Sequence, residues 1–276
     1  MKKKRERRSG FFWKLILLMA LAVFIFSGYQ LYSIAMEYKA GVEEYSEISN
    51  AVVNRQPQKS PITNDKNDTN VTKPQKGQLL YAELPDYAVP EVDFEELKQI
   101  NKDVIGWIEV EAIPEISYPI VQAEDNDYYL KRTIYGNENS AGSIFIDYTN
   151  SDTFKDCNTV IYGHNMKNGS MFGQLSDLYE QEKYKISQYI WICTPNGKYR
   201  YEIFSMQYAH VNSNTYQFYQ THGDEFQAYL IEMTSKSVVD LQTPLLSKED
   251  YIITLSTCTS DSNTRFVVQA RWIGTY

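Results

Sequence analysis

Hydrophobic positions fall into one dense block near the start of the chain and into short periodic runs further on. From Leu15 to Phe26 every residue is apolar, and the block extends through Phe11–Trp13 on one side and Tyr29–Met36 on the other. At ~1.5 Å of helical rise per residue, and roughly 20 residues per bilayer core, 11–36 is long enough to cross a membrane. Lys14 can reach the headgroups along its aliphatic stem, and Trp13, Tyr29 and Tyr32 suit the two interfaces. A cleaved signal peptide is the rival reading. The run is long for one, and no small-x-small cleavage site follows it, so an uncleaved anchor is expected.

Residues 37–53 can continue as a polar stalk helix. Residues 54–78, rich in Pro, Asn, Lys and Gln without apolar periodicity, read as a flexible linker. A folded domain is expected from near Tyr81, opening with a short helix, VDFEELKQIN (92–101), on which Val92, Leu97 and Ile100 share a face. Eight runs of β-branched and aromatic residues then read as strands: VIGWIEV (104–110), SYPIV (117–121), GSIFID (142–147), NTVIYG (158–163), QYIWIC (188–193), KYRYEIFSMQYA (198–209), YIITLST (251–257) and RFVVQARWI (265–273). PNG at 195–197 predicts a hairpin turn between the fifth and sixth. Helical spacing predicts helices at 171–185, on Phe172, Leu175 and Leu178, and at 223–237, on Phe226, Tyr229, Leu230 and Met233. So many short strands suggest a barrel or a sandwich.

Charge sharpens the membrane reading. The chain of 276 residues carries −8, yet residues 2–14 hold seven cations against Glu6, so the remainder carries −14. Cations before the span and an acidic chain after it put the N-terminus inside and the bulk outside. The acidic remainder would repel phosphate, which argues against nucleic acid as a partner. Three cysteines (Cys157, Cys193, Cys258) and three histidines (His164, His210, His222) form no zinc pattern, and no glycine-rich phosphate loop occurs, so neither a metal nor a nucleotide cofactor is expected.

Three residues could do chemistry. Cys258 ends one predicted strand and Arg265 opens the next after the polar TSDSNT; if the two pair as a hairpin, both sit at one rim. His164 follows directly on NTVIYG. A thiol, an imidazole and a guanidinium at strand ends would make a nucleophile, a proton donor/acceptor and an oxyanion stabiliser. Each taken singly reads more simply as a buried thiol, a turn histidine and a surface charge. Cys157 and Cys193 could pair in an oxidising space, and His210 and His222 read as loop residues.

The combination resembles the sortases, membrane-anchored cysteine transpeptidases of Gram-positive cells. TLSTC (254–258) matches that family's TLxTC nucleophile motif, YGHN (162–165) its histidine motif, and Arg265 its arginine position. Class B is the nearest match, since its members carry a helix before the barrel and a long one between strands six and seven, where 223–237 falls. The resemblance implies a mainly β, eight-stranded barrel behind a transmembrane helix. Its parts would be a cytoplasmic basic tail (1–10), an anchor (11–36), a stalk and linker (37–80) and an extracellular catalytic domain (81–276). It implies Cys258, His164 and Arg265 as catalytic. NDYYL (126–130) resembles a class B groove segment, which would place Asn126 and Leu130 beside a bound peptide. Ser256, two residues before Cys258 and on its face of the strand, would join them. The implied activity cleaves a C-terminal sorting signal of secreted proteins through a Cys258 thioester and passes the acyl group to an amine of a peptidoglycan precursor or a pilin. A tethered cysteine hydrolase would use the same residues. A non-enzymatic barrel, binding through its 23 tyrosines, would use none of them.

Overall fold

The apolar block and the segment after it form one continuous helix, α1 (Lys3–Val52), in a computed structural model that describes residues 3–54, 87, 89–259 and 261–276, residues 3–10 and Cys258 by their backbone alone. The part from Phe11 is long and apolar enough to cross a membrane. Among the described residues nothing covers this stretch: Leu17, Phe24 and Leu31 are each more than two-thirds exposed, as a helix that faces lipid requires. The expected linker and the domain start near Tyr81 lie outside the described residues.

The end of α1 is not a free stalk. Tyr45, Ile48 and Val52, at three- and four-residue spacing, form a narrow apolar stripe and are all buried against the barrel. The Tyr45 hydroxyl donates to Gly142 O at 2.7 Å and lies 2.9 Å from Ser143 Oγ. Asn139 Nδ2 donates to Glu37 O at 3.0 Å, and Asn137 Nδ2 to Glu44 Oε1 at 2.8 Å. The surrounding Glu and Ser residues made this segment look like a solvated helix, because a three-residue stripe is a weak signal. Tyr45→Phe would leave a buried carbonyl short of a donor and is expected to cost about 1–2 kcal/mol. An unchanged urea midpoint would show that this docking contributes nothing to stability.

Two residues after α1, Val53–Asn54, pair antiparallel with Glu91–Val92, so Val92 belongs to a short ribbon and not to the helix that follows. That helix, α2 (Phe94–Ile100), starts where the Asp93 side chain accepts from Glu96 N at 2.9 Å, and it buries Leu97 completely.

Eight strands then close into a barrel: β1 (Val104–Val110), β2 (Ile113–Val121), β3 (Ile144–Ile146), β4 (Asn158–Tyr162), β5 (Tyr189–Thr194), β6 (Gly197–His210), β7 (Ile252–Cys258) and β8 (Thr264–Thr275). Their order around the barrel is β8-β6-β5-β1-β2-β3-β4-β7, with β7 returning to β8. All neighbours are antiparallel except β2 with β3 and β4 with β7. Alternation sets the two faces of each strand. On β7, Ile253 and Leu255 enter the barrel core with Trp107, Ile120, Ile192 and Val268, whereas Ile252 joins a second cluster outside.

A helix covers that outer cluster. It is the expected one between β6 and β7, Asp224–Ser235, and it buries Phe226, Tyr229, Leu230 and Met233. The helix expected at 171–185 is not continuous. Only α3 (Asp177–Glu180) is α-helical; Lys183–Lys185 form a turn of 3-10 helix, and tight turns make up most of the remainder. Phe172, Leu175 and Leu178 are indeed completely buried, so the apolar stripe was real. The backbone is left-handed at Met171 and Glu182 (φ 56° and 53°), which no continuous helix permits. With α3 numbered in chain order, the Asp224–Ser235 helix is α4.

Candidate active site

Strand register sets two of the three candidate catalytic positions, Cys258 and Arg265, side by side. β8 pairs with β7 so that Arg265 lies opposite Cys258, and directly opposed residues project to the same face. On the other flank of β7, the parallel partner β4 pairs Tyr162 with Ser256. β4 ends there, and Gly163 N still donates to Ser256 O at 3.2 Å, so His164 follows the turn at Gly163 beside the end of β7. Cys258 and Arg265 are backbone partners on neighbouring strands about 4.8 Å apart. By the alternation of β7, Ser256 shares the face of Cys258.

A cavity of about 220 Å³ opens at this rim, lined by Asn126, Leu130, His164, Ser256 and Arg265 with Tyr162. Five of the six residues singled out in the sequence thus meet at one cleft, and the backbone of the sixth lies one residue beyond Thr257, which also lines it.

Each wall has a local cause. Gly163, which turns the chain from β4 to His164, has no room for a side chain: a Cβ there would lie 2.5 Å from Ile144 Cδ1 and 2.6 Å from Phe172 Cδ2. His164 is half-buried, and its Nε2 lies 2.7 Å from Leu130 O. A carbonyl can only accept, so Nε2 carries the hydrogen in this contact. Leu130 is itself held from behind by Gly142. This residue adopts φ 57°, and its α-carbon passes so close that a Cβ would meet Leu130 O at 2.7 Å.

Arg265 is half-buried, and its Nη1 donates to Ser262 O in the connecting loop at 2.8 Å and to Thr264 O at the start of β8 at 3.0 Å. Asn126 is tied to the end of β3, donating from Nδ2 to Asp147 Oδ2 at 2.9 Å and accepting from Tyr148 N at 3.0 Å. The Ser256 hydroxyl lies 2.9 Å from Tyr216 Oη.

Sequence reasoning passed over a second layer of this site, Asp147 and Tyr162. Tyr162 Oη donates to Asp147 Oδ2 at 3.0 Å and Thr149 Oγ1 to Asp147 Oδ1 at 2.6 Å. Burial opposes the charge on Asp147, but the donors from Thr149, Asn126 and Tyr162 outweigh it and hold the carboxyl below its ordinary range. Burial, reinforced by that carboxylate, pushes the Tyr162 phenol upward. Asp147 therefore works as a fixed anion bracing Asn126 and β4. The only sequence signal for it was its position at the end of GSIFID.

The remaining cysteines and histidines are occupied elsewhere. Cys157 and Cys193 are free thiols buried in separate apolar clusters, so the disulfide that could have joined them is not formed. Burial raises both, Cys193 to about 12, and keeps them protonated at neutral pH. His210 ends β6 and accepts from Asn212 N through Nδ1 at 3.1 Å. His222 lies in the loop before the Asp224–Ser235 helix, as expected, and packs edge-on against Tyr251, ring centroids 4.7 Å apart. No group of His, Cys, Asp or Glu suited to a metal ion occurs among the described residues.

The same architecture recurs in known proteins. The family model of the sortase domain matches residues 108–273. Sortase B of Listeria monocytogenes is 32% identical over 272 residues, covering 96% of this chain and 98% of its own length. Sortase B of Staphylococcus aureus is 32% identical over 202 residues, covering 72% of this chain and 81% of its own. The crystal structure of sortase B from Bacillus anthracis superposes with a TM-score of 0.66 at 30% identity, over 87% of this chain and 99% of that one. A family model spanning more than half the sequence, near end-to-end similarity to the Listeria relative and a shared barrel lead to one conclusion: the chain belongs to the sortase family, in class B, and is a cysteine transpeptidase.

Proposed function

We propose that this chain is anchored by residues 11–36 with its basic tail (1–10) in the cytoplasm, and that it works outside the cell. There it cleaves a C-terminal sorting signal of secreted proteins and transfers the acyl part to an amine of a cell-wall precursor or pilin. The observation that supports this reading is the single cleft lined by His164, Ser256, Thr257 and Arg265, with Arg265 the backbone partner of Cys258. In the first half-reaction the Cys258 thiolate attacks a backbone carbonyl held along Asn126, Leu130 and Ser256. Arg265 and nearby backbone N–H groups bind the developing oxyanion, which requires Arg265 to exchange a loop carbonyl for the substrate. The imidazolium of His164 protonates the departing amine, the C–N bond breaks, and a thioester remains. In the second half-reaction an incoming amine attacks that thioester, loses its proton to His164 and expels the thiolate as a new amide forms. A thioester retains most of the free energy of the peptide bond, so no nucleotide is needed.

An isolated thiol of pKa ~8.5 and an imidazole of pKa ~6.5 prefer the neutral pair at pH 7, so the active ion pair depends on their coupling. The bond from Nε2 to Leu130 O helps by fixing the orientation of the ring.

Arg265→Lys keeps the charge but loses the planar fork, and is expected to lower peptide cleavage on the order of 10²-fold, as loss of an oriented oxyanion donor does. Full activity in that variant would remove oriented hydrogen bonding from its role. Product analysis with and without an added amine tests the function as a whole. Transfer product formed in proportion to the amine supports transpeptidation. Release of free acid alone, at every amine concentration, would identify a peptidase.

A further inference from the structure

The end of the barrel away from the cleft is also open. β8 leaves the catalytic rim at Arg265 and reaches Trp272 and Thr275 roughly 23 and 33 Å further on, at ~3.3 Å per residue. A cavity of about 420 Å³ lies there, lined among others by Lys155, Tyr199, Tyr201, Tyr251, Trp272 and Thr275. Register assembles the wall: Trp272 pairs with Tyr201 and Thr275 with Tyr199 across β8 and β6.

α1 shows which way this end points. Glu37 is held by Asn139 and Ser140, which share a cavity wall with His164 near the catalytic rim. Val52 stands roughly 22 Å further along the helix, at ~1.5 Å per residue. There Val53 pairs with Val92, while Cys193 and Lys198 of the β5–β6 hairpin hold Pro90 and Glu91. Tyr199 of the cavity wall follows Lys198 directly. With residues 11–36 in the bilayer, α1 therefore carries the chain outward past the cleft, and the cavity lies at the end of the barrel remote from the membrane.

The lining is aromatic without being apolar. Tyr201 is 2% exposed, yet its hydroxyl makes no hydrogen bond among the described residues, and neither do the hydroxyls of Tyr199, Tyr251 and Thr275. Buried polar groups normally have partners, so these must find theirs in whatever fills the cavity. The rings are fixed. Trp272, 38% exposed, donates from Nε1 to Gly274 O at 2.8 Å and meets Tyr251 edge-on, centroids 6.2 Å apart. Lys155 makes no ion pair among the described residues, and an adjoining cavity of about 300 Å³ shares Lys155 and Tyr199 and adds Lys98 against Asp152.

This combination selects an occupant. An apolar peptide would cover the rings and strand the hydroxyls. A cation would suit the rings but is repelled by Lys155. A saccharide offers C–H faces to the rings and hydroxyls to the phenols, and a carboxylate on it would meet the ammonium. We propose that the far end of the barrel binds the glycan of the cell wall, a chain of N-acylated amino sugars carrying carboxylates. One sugar packs on Trp272 and Tyr251 and bonds Tyr199, Tyr201 and Thr275, with its carboxylate on Lys155. The proposal rests on the anchored, extracellular reading above. It holds the barrel at two levels, by α1 in the membrane and by the wall beyond, with the cleft between them.

The test is a calorimetric titration of the full chain in phosphatidylcholine nanodiscs, which carry no sugar. Two tetrasaccharides are compared: chitotetraose, which is neutral, and the peptide-free tetrasaccharide of peptidoglycan, whose lactyl carboxylates are free. Saturable binding of both is expected, tighter for the second. Trp272→Ala is expected to weaken both about tenfold, and Lys155→Glu to weaken the carboxylated one about tenfold but chitotetraose at most about twofold. Tyr201→Phe separates a ligand contact from a structural role. A hydroxyl without a protein partner adds nothing to the fold, so the melting temperature holds or rises while both saccharides bind about fivefold more weakly. No saturable binding by the unsubstituted chain, affinities unaltered in the variants, or a lower melting temperature with unchanged affinity in Tyr201→Phe would overturn the site. Equal losses for both saccharides in Lys155→Glu would overturn the carboxylate contact. The titration needs no turnover, so a chain that binds saccharide yet cleaves no sorting peptide would sink the transpeptidase reading and leave this site standing.

Discussion

Cys258→Ala is expected to abolish peptide cleavage, with a loss on the order of 10⁴-fold or more, as removal of an attacking nucleophile generally brings. The other two thiols cannot substitute for it. Cys157 and Cys193 are buried in apolar clusters away from the rim, and burial holds both in the protonated form. The fold should survive, because the backbone pairing of Cys258 with Arg265 continues a ladder that runs from Ile252 and does not depend on the sulfur. The check is a progress curve on a sorting peptide beside a thermal melt. Cleavage persisting at more than a few per cent of the normal rate in a folded variant would remove Cys258 as nucleophile.

His164→Ala is the second large effect, expected at about 10²- to 10⁴-fold, the range for loss of a positioned proton donor. The histidine also makes a structural bond to Leu130 O, so the alanine variant alone cannot separate proton transfer from positioning. His164→Gln can. Glutamine offers an amide N–H to the same carbonyl but has no nitrogen that titrates near neutrality. If His164 exchanges protons, His164→Gln falls as far as the alanine variant and its residual rate loses the pH dependence of the imidazole. If the residue merely braces Leu130, His164→Gln recovers most of the activity and keeps the original pH profile.

Much of this architecture could be read from local pattern. Runs such as VIGWIEV and NTVIYG are dense in β-branched and aromatic residues, and they form β1 and β4 within a residue of the expected limits. The 223–237 helix was equally legible, because Phe226, Tyr229, Leu230 and Met233 recur at three- and four-residue spacing. Local pattern failed where the determining contact was distant or the backbone unusual. Between Met171 and Lys185 the apolar spacing is helical, yet two left-handed residues and Gly173, whose Cβ would lie 2.5 Å from Met166 O, break the segment into turns. The docked end of α1 was missed because its partners, Asn139 to Ser143, lie about a hundred residues away.

The site divides in the same way. The hairpin between β7 and β8 made the proximity of Cys258 and Arg265 readable from their separation alone. The parallel pairing of β4 with β7, which brings in His164 from about ninety residues upstream, leaves no mark in either strand, and only the resemblance to sortases suggested it. Asp147 was invisible for a related reason. A single acidic residue at a strand end is unremarkable until Asn126, Thr149 and Tyr162 are seen to converge on it.

The most direct measurement is intact-mass analysis of the full chain quenched during turnover of a sorting peptide, followed by peptide mapping of the adduct. The account predicts a mass gain equal to the acyl fragment, mapped to Cys258, removed by hydroxylamine and lost at a rate that rises with added amine. An adduct on Cys157 or Cys193, or peptide turnover with no covalent acyl-enzyme at any quench time, would contradict it.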